Sequence, residues 1–109
     1  MESKVVDRAA DIAVEPDGAG VVLRLPEAVG TELAMPLYGA AVQSLLGGGR
    51  VVVDCAGTRH IGAAGLQILI SLARTLDRAG RRLELASVEP GLAGWLELLG
   101  ADDLLARRG

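Results

Sequence analysis

Asp54, Cys55 and His60 are the side chains here whose types could carry out covalent or proton-transfer chemistry, and they lie close together in the chain. A thiolate is a nucleophile, an imidazole can serve as its base, and an acid at a strand end can orient either partner. The set is thin. No second histidine, and no hydroxyl or carboxylate motif at supporting spacing, completes a catalytic constellation. Cys55 closes the apolar run Val51-Val52-Val53-Asp54, a position that suits a small packed thiol. Asp54 suits hydrogen bonding to the amides of the following loop. His60 suits a loop position at or near the surface. One cysteine and one histidine do not make a closed metal-ligand set. The residues therefore predict no catalytic site, no metal and no cofactor, and an enzyme or small-ligand binder is the weakest reading.

A second motif occupies the same stretch. Gly57 to Ala64 reads Gly-x-x-x-x-Gly-Ala-Ala, the glycine spacing of a phosphate-binding loop. The chemistry of that loop is missing, because alanines stand where a lysine would reach the outer phosphates and a hydroxyl would hold magnesium. The glycines are read instead as residues that permit a tight turn. The helix start beyond them matters more. Gly62-Ala63-Ala64-Gly65 opens an apolar helix, and a helix start exposes backbone N–H groups and positive dipole that favour an acidic or phosphorylated group. Ala63 and Ala64 offer neither hydroxyl nor charge.

The elements that must position this turn can be read from periodicity. Val51 to Val53 is apolar without alternation, as expected for a central strand covered on both faces. Leu66, Leu69, Ile70, Ala73 and Leu76 recur at helical spacing opposite Gln67, Ser71, Arg74 and Arg78. That helix ends at Ala79-Gly80, and the alternating run from Arg82 to Val88 follows as a strand, so the unit reads as a right-handed parallel crossover. Upstream, Ile12–Glu15 and Val21–Leu25 are strands of an antiparallel hairpin turning at Pro16-Asp17-Gly18. Pro26 to Glu32 reads as a polar connector. A helix then starts at Met35-Pro36-Leu37, buries Ala34, Leu37, Ala40, Ala41 and Leu45, and stops at Gly47-Gly48-Gly49. Downstream, Pro90 opens a helix whose Leu92, Trp95, Leu96 and Leu99 share a face, with Trp95 in core packing or in partner contact. Gly100 closes it, and Asp102 is placed to cap a last turn bearing Leu104 and Leu105.

Composition narrows the class. The 109 residues fit one domain, residues 1–109, with 1–10 as a candidate flexible segment. Half are hydrophobic, yet phenylalanine is absent and there is one tryptophan and one tyrosine, so Leu, Val, Ile and Ala must build the core. A net charge of −3, with the charges dispersed, gives nucleic acid no basic face to bind. The single cysteine permits no intrachain disulfide and suits a reducing cytoplasm. Charges interrupt every short apolar run near the start, which predicts neither a signal peptide nor a spanning helix.

From Val21 to Leu105 the pattern resembles the STAS family, the domain shared by sulphate transporters and bacterial anti-sigma factor antagonists. There a hydrophobic strand ending in Asp leads through a loop to Asp-Ser-Ser/Thr-Gly-Leu at the head of a helix, and the first hydroxyl is often phosphorylated by a partner kinase. Asp54 matches the strand-end acid and Ile61 the apolar loop residue. Gly62 stands at the family's Asp, Ala63 at the phosphoacceptor and Ala64 at the second hydroxyl, with Gly65-Leu66 kept. The resemblance implies an α/β fold with a mixed, mainly parallel sheet of about four strands, helices packed on it and an N-terminal hairpin. It also implies a non-catalytic module that binds another protein through Thr58, Arg59, His60, Gly62, Ala63, Ala64, Gly65 and Gln67 and cannot be modified at residue 63. That partner would be an anti-sigma factor or kinase. In the alternative, the chain would be a subunit stabilising an ABC-type lipid-transport ATPase or a chemotaxis complex. The sequence leaves the oligomeric state open.

Overall fold

The computed structural model describes residues 11–108, so the segment 1–10 expected to be flexible lies outside the described residues. Strands β1 (Ala13–Asp17) and β2 (Gly20–Arg24) form the expected antiparallel hairpin. Its turn is Gly18-Ala19 rather than Pro16-Asp17-Gly18. Pro16 stays in the ladder opposite Val21 because β1 is an edge strand, where a missing N–H costs no bond. Gly18, at φ +62°, takes the left-handed conformation the turn needs.

β2 leads to a two-residue strand, β3 (Ala28–Val29), a turn of 3₁₀ helix at Thr31–Leu33, and helix α1 (Ala34–Leu46). β4 (Val51–Asp54), β5 (His60–Ile61), helix α2 (Ala63–Arg78) and β6 (Leu83–Ala86) follow, then helices α3 (Pro90–Leu98) and α4 (Asp102–Leu105). The main sheet runs β1-β2-β4-β6, with β4 parallel to both neighbours, and β3 pairs with β5 in a separate parallel pair. The stretch from Pro26 to Glu32 is thus not only a connector, since its centre pairs with the residues just before α2.

Register sorts the side chains. Val21, Val51 and Leu83 lie abreast, as do Leu23, Val53 and Leu85. Leu23, Val51, Val53, Leu83 and Leu85 join Leu37, Leu69, Leu72, Leu76, Leu92, Leu96 and Leu104 in one core cluster, an aliphatic interior as composition required. Val52 is buried outside that cluster, flanked by Val22 and by Glu84, whose carboxylate pairs with Arg50 at 3.0 Å. The unbroken valine run therefore reflects a strand hydrogen-bonded on both edges, with strand neighbours and an ion pair beside Val52.

Two helix faces differ from their sequence reading. In α1 the buried set is Leu37, Ala40, Ala41 and Ser44, while Leu45 is 37% exposed. Steps of three, one and three keep residues 37, 40, 41 and 44 on one face, and the Ser44 hydroxyl satisfies itself by donating to the Ala40 carbonyl at 2.9 Å. In α2, Leu66, Leu69, Ala73 and Leu76 are buried as expected, Ile70 is half-buried, and Leu72 joins the buried face. Ala101, not Asp102, caps α4, whose first turn holds Asp102 without a side-chain capping bond. In α3, Leu92 and Leu96 are buried but Leu99 lies beyond the helix and is 45% exposed.

Candidate functional site

The turn from Asp54 to Gly65 is locked from below. Register sets Asp54 beside Arg24, and the two pair, while a second Asp54 oxygen accepts the Ala56 N–H at 3.0 Å. Arg24 also binds Glu15 at 3.1 Å. Asp54 is thus committed to holding the loop, in the role its strand-end position suggested. Gly57, at φ +79°, turns the chain. The Thr58 hydroxyl donates to the Pro26 carbonyl at 2.9 Å, and the residue is 1% exposed. Arg59 N–H then donates to the Glu27 carbonyl at 2.7 Å, and Gly62 N–H to Val29 at 2.8 Å, stitching the loop to β3.

Cys55 is fully buried, with its thiol 3.7 Å from the Val53 carbonyl. Burial first, and then the neighbouring Asp54 carboxylate, push the thiol from 9.0 up to about 12, which keeps it protonated and unreactive at neutral pH. His60 instead lies exposed against Trp95, ring centroids 5.4 Å apart. The thiol and the imidazole are therefore not assembled as nucleophile and base.

At the head of α2, Gly62 caps the helix with extended backbone and no side-chain capping bond, and the Leu66 amide closes the first turn onto the Gly62 carbonyl at 2.9 Å. Ala63, Ala64 and Gln67 are exposed, as are Arg59 and His60, and Gly62 is partly so. These six share the accessible end of the turn. Thr58 and Gly65 do not belong to that surface. Thr58 is consumed by its hydrogen bond to the approach to β3, and Gly65 is buried, where a Cβ would stand 2.9 Å from Ile61 Cγ2 and 3.2 Å from Val29 Cγ1. Both shape the site from beneath it.

Trp95 is the residue whose role the sequence divided between packing and binding. It is half-buried, its indole N–H donates to the Ile61 carbonyl at 3.0 Å, and its ring carries His60. It fastens α3 to the strand that precedes α2. On the flank of α2 next to Ala63, a cleft of about 180 Å³ is lined by Leu66, Gln67, Ile70 and Leu99–Ala101. No local pattern announces this cleft, because it forms between helix and loop residues far apart in the chain. Its walls are mainly apolar, which suits it to binding.

A family model described as "Mlab, STAS domain" matches residues 12–106. The chain belongs to the STAS family. Solved structures share its fold: a STAS-domain anti-sigma-factor antagonist protein from Planctomyces limnophilus is 18% identical, with 87% of this chain and 86% of that chain covered and a TM-score of 0.73. A sulfate transporter family protein from Wolinella succinogenes is 20% identical, with coverage of 88% and 80% and a TM-score of 0.69. An anti-sigma factor antagonist from Mycobacterium paratuberculosis is 18% identical, with coverage of 84% and 79% and a TM-score of 0.64. Among curated proteins, none matches. Among the described residues, no helix is long and apolar enough to cross a membrane.

Proposed function

We propose that this chain is a non-catalytic STAS-type interaction module of bacterial regulation, acting in the cytoplasm and docking another protein through Arg59, His60, Gly62, Ala63, Ala64 and Gln67. The observation that carries the reading is the exposed pair Ala63-Ala64 at the head of α2, where no side chain makes a capping bond. In the family pattern these are the hydroxyl positions. A phosphoryl group there would add about −1.5 to −2 charges to a tight contact and oppose binding by repulsion and desolvation. Alanine at residue 63 accepts no phosphoryl group, so the module stays in its binding-competent form, like an anti-sigma factor antagonist fixed on. The buried, protonated Cys55 and the committed Asp54 support the non-catalytic reading.

A second reading is a subunit that stabilises a lipid-transport ATPase or a chemotaxis complex. The same missing hydroxyls favour it, since a constitutive subunit needs no switch. The test common to both is incubation with ATP and an anti-sigma kinase of the STAS-partner type. The chain should remain unlabelled. Phosphate on Thr58 or on the exposed Ser71 would mean that the receiver lies elsewhere and the module switches after all.

A further inference from the structure

Helix α1 presents a second surface, which meets the surface at the head of α2 at Gln67. Among the described residues, five of the eight large apolar side chains left exposed lie on this one helix: Met35 at 76%, Tyr38 at 57%, Val42 and Leu45 at 37% each, and Leu46 at 83%. Met35, Tyr38, Val42 and Leu45 are spaced by three, four and three, the a and d positions of a heptad seam, which is the pattern of a helix that packs on another helix. Beside this ridge, a furrow of about 370 Å³ runs between α1 and α2, walled by Tyr38, Val42, Leu45, Gln67, Ile68 and Ser71 among others.

We infer that this face pairs with the same face of a second copy, the two α1 helices crossing antiparallel about a two-fold axis near residue 40. Two observations select that occupant. The first is charge. None of the thirteen residues of α1 is Asp, Glu, Lys or Arg, and α2 carries no charge before Arg74. Two identical helices brought together usually oppose like charges, and here neither α1 carries a charge to set against the other, the neighbouring cation, Arg81, being engaged with the Ser44, Leu45 and Gly49 carbonyls at the end of the helix. The second is register. In an antiparallel pair centred on residue 40, Met35 of one copy faces Leu45 of the other and Tyr38 faces Val42, so the seam is complementary to itself, as an isologous contact must be. Gly39, with open space where a Cβ would stand, lets the backbones approach beside the axis.

The test is sedimentation equilibrium of the full chain over a concentration series. The mass should rise from the monomer's 11.2 kDa toward twice that value. Val42→Glu should hold the mass at the monomer while far-UV circular dichroism stays unchanged, and Leu46→Glu, at the most exposed of the five positions, provides the same reading if Val42→Glu does not fold. Mixing Tyr38→Lys with Val42→Glu should restore a dimer that neither forms alone. The two-fold register sets the introduced lysine of one variant against the introduced glutamate of the other and leaves Tyr38 against Val42 at the second contact. Ala63→Glu, at the head of α2 and away from this seam, should leave the dimer intact, which separates the pairing from the docking proposal. A monomer at every concentration, a dimer that survives both glutamates, or a mixture that stays monomeric would overturn it.

Discussion

Cys55 shows how far one residue's setting governs what it can do. By residue type it is the strongest nucleophile available. In the structure it is sealed and its thiol held up to about 12 by burial and by Asp54. A group whose folded value is raised stabilises the fold fully below its unfolded value and loses that contribution as pH rises through the folded one. Stability should therefore fall between 9.0 and about 12, and Cys55→Ala should flatten that alkaline limb in urea unfolding followed against pH. At neutral pH, iodoacetamide should label native Cys55 at least about tenfold more slowly than the unfolded chain; equal rates would reopen the question of a reactive thiol. Asp54 as a loop-holding acid was legible because a strand-end Asp followed by turn residues has that use. The burial of Thr58 was not, since it depends on the Pro26 carbonyl, which sequence order places thirty-two positions away.

Among the elements, α2 was the most legible and β3 the least. Sixteen residues give the helical period enough repeats to set its phase, and Gln67, Ser71, Arg74 and Arg78 form the exposed polar stripe expected opposite the buried face. Ala28-Val29 and His60-Ile61 are two residues each, too short for any period, and they exist as strands only because each supplies the other's hydrogen bonds. The exchange of Ser44 for Leu45 in α1 has a similar origin, because local polarity cannot reveal that Ser44 satisfies itself on the Ala40 carbonyl. The phase of α2 makes a quantitative prediction. Leu69 is fully buried in the central cluster, and Leu69→Ala should cost about 2–5 kcal/mol in denaturant unfolding, whereas an effect near zero would mean the face is misassigned. Just beyond the same helix, Arg81 donates to the carbonyls of Ser44, Leu45 and Gly49 and so satisfies the last turn of α1, which has no capping side chain of its own.

For the molecule as a whole, the C-terminal stretch returns to complete the fold. Arg107 offers its carbonyl to the Leu85 amide at 2.9 Å, and its guanidinium grips Asp77 at 2.7 Å, so the end of the described chain is bound both to β6 and to α2. The hydrogen bond from Arg107 holds the Asp77 carboxyl below its ordinary value. A lowered acid stabilises above its unfolded value and ceases to do so as pH falls through the folded one. The wild type should therefore lose its advantage over Asp77→Asn on acidification below the ordinary carboxyl value of 3.8, read from urea midpoints. Hairpin and parallel crossover were readable from the sequence because each rests on local pattern, whereas the mixed sheet, which needs β2 beside β4, came from the family resemblance. The seam along α1 and the cleft beside Ala63 were not, because surfaces left open are defined only once everything else has packed. The docking proposal itself rests on residue 63. Isothermal titration of the partner recovered by affinity pull-down, against the wild type and Ala63→Glu, tests it: the glutamate variant should bind at least about tenfold more weakly with an unchanged fold, and equal affinity would remove the head of α2 from the interface.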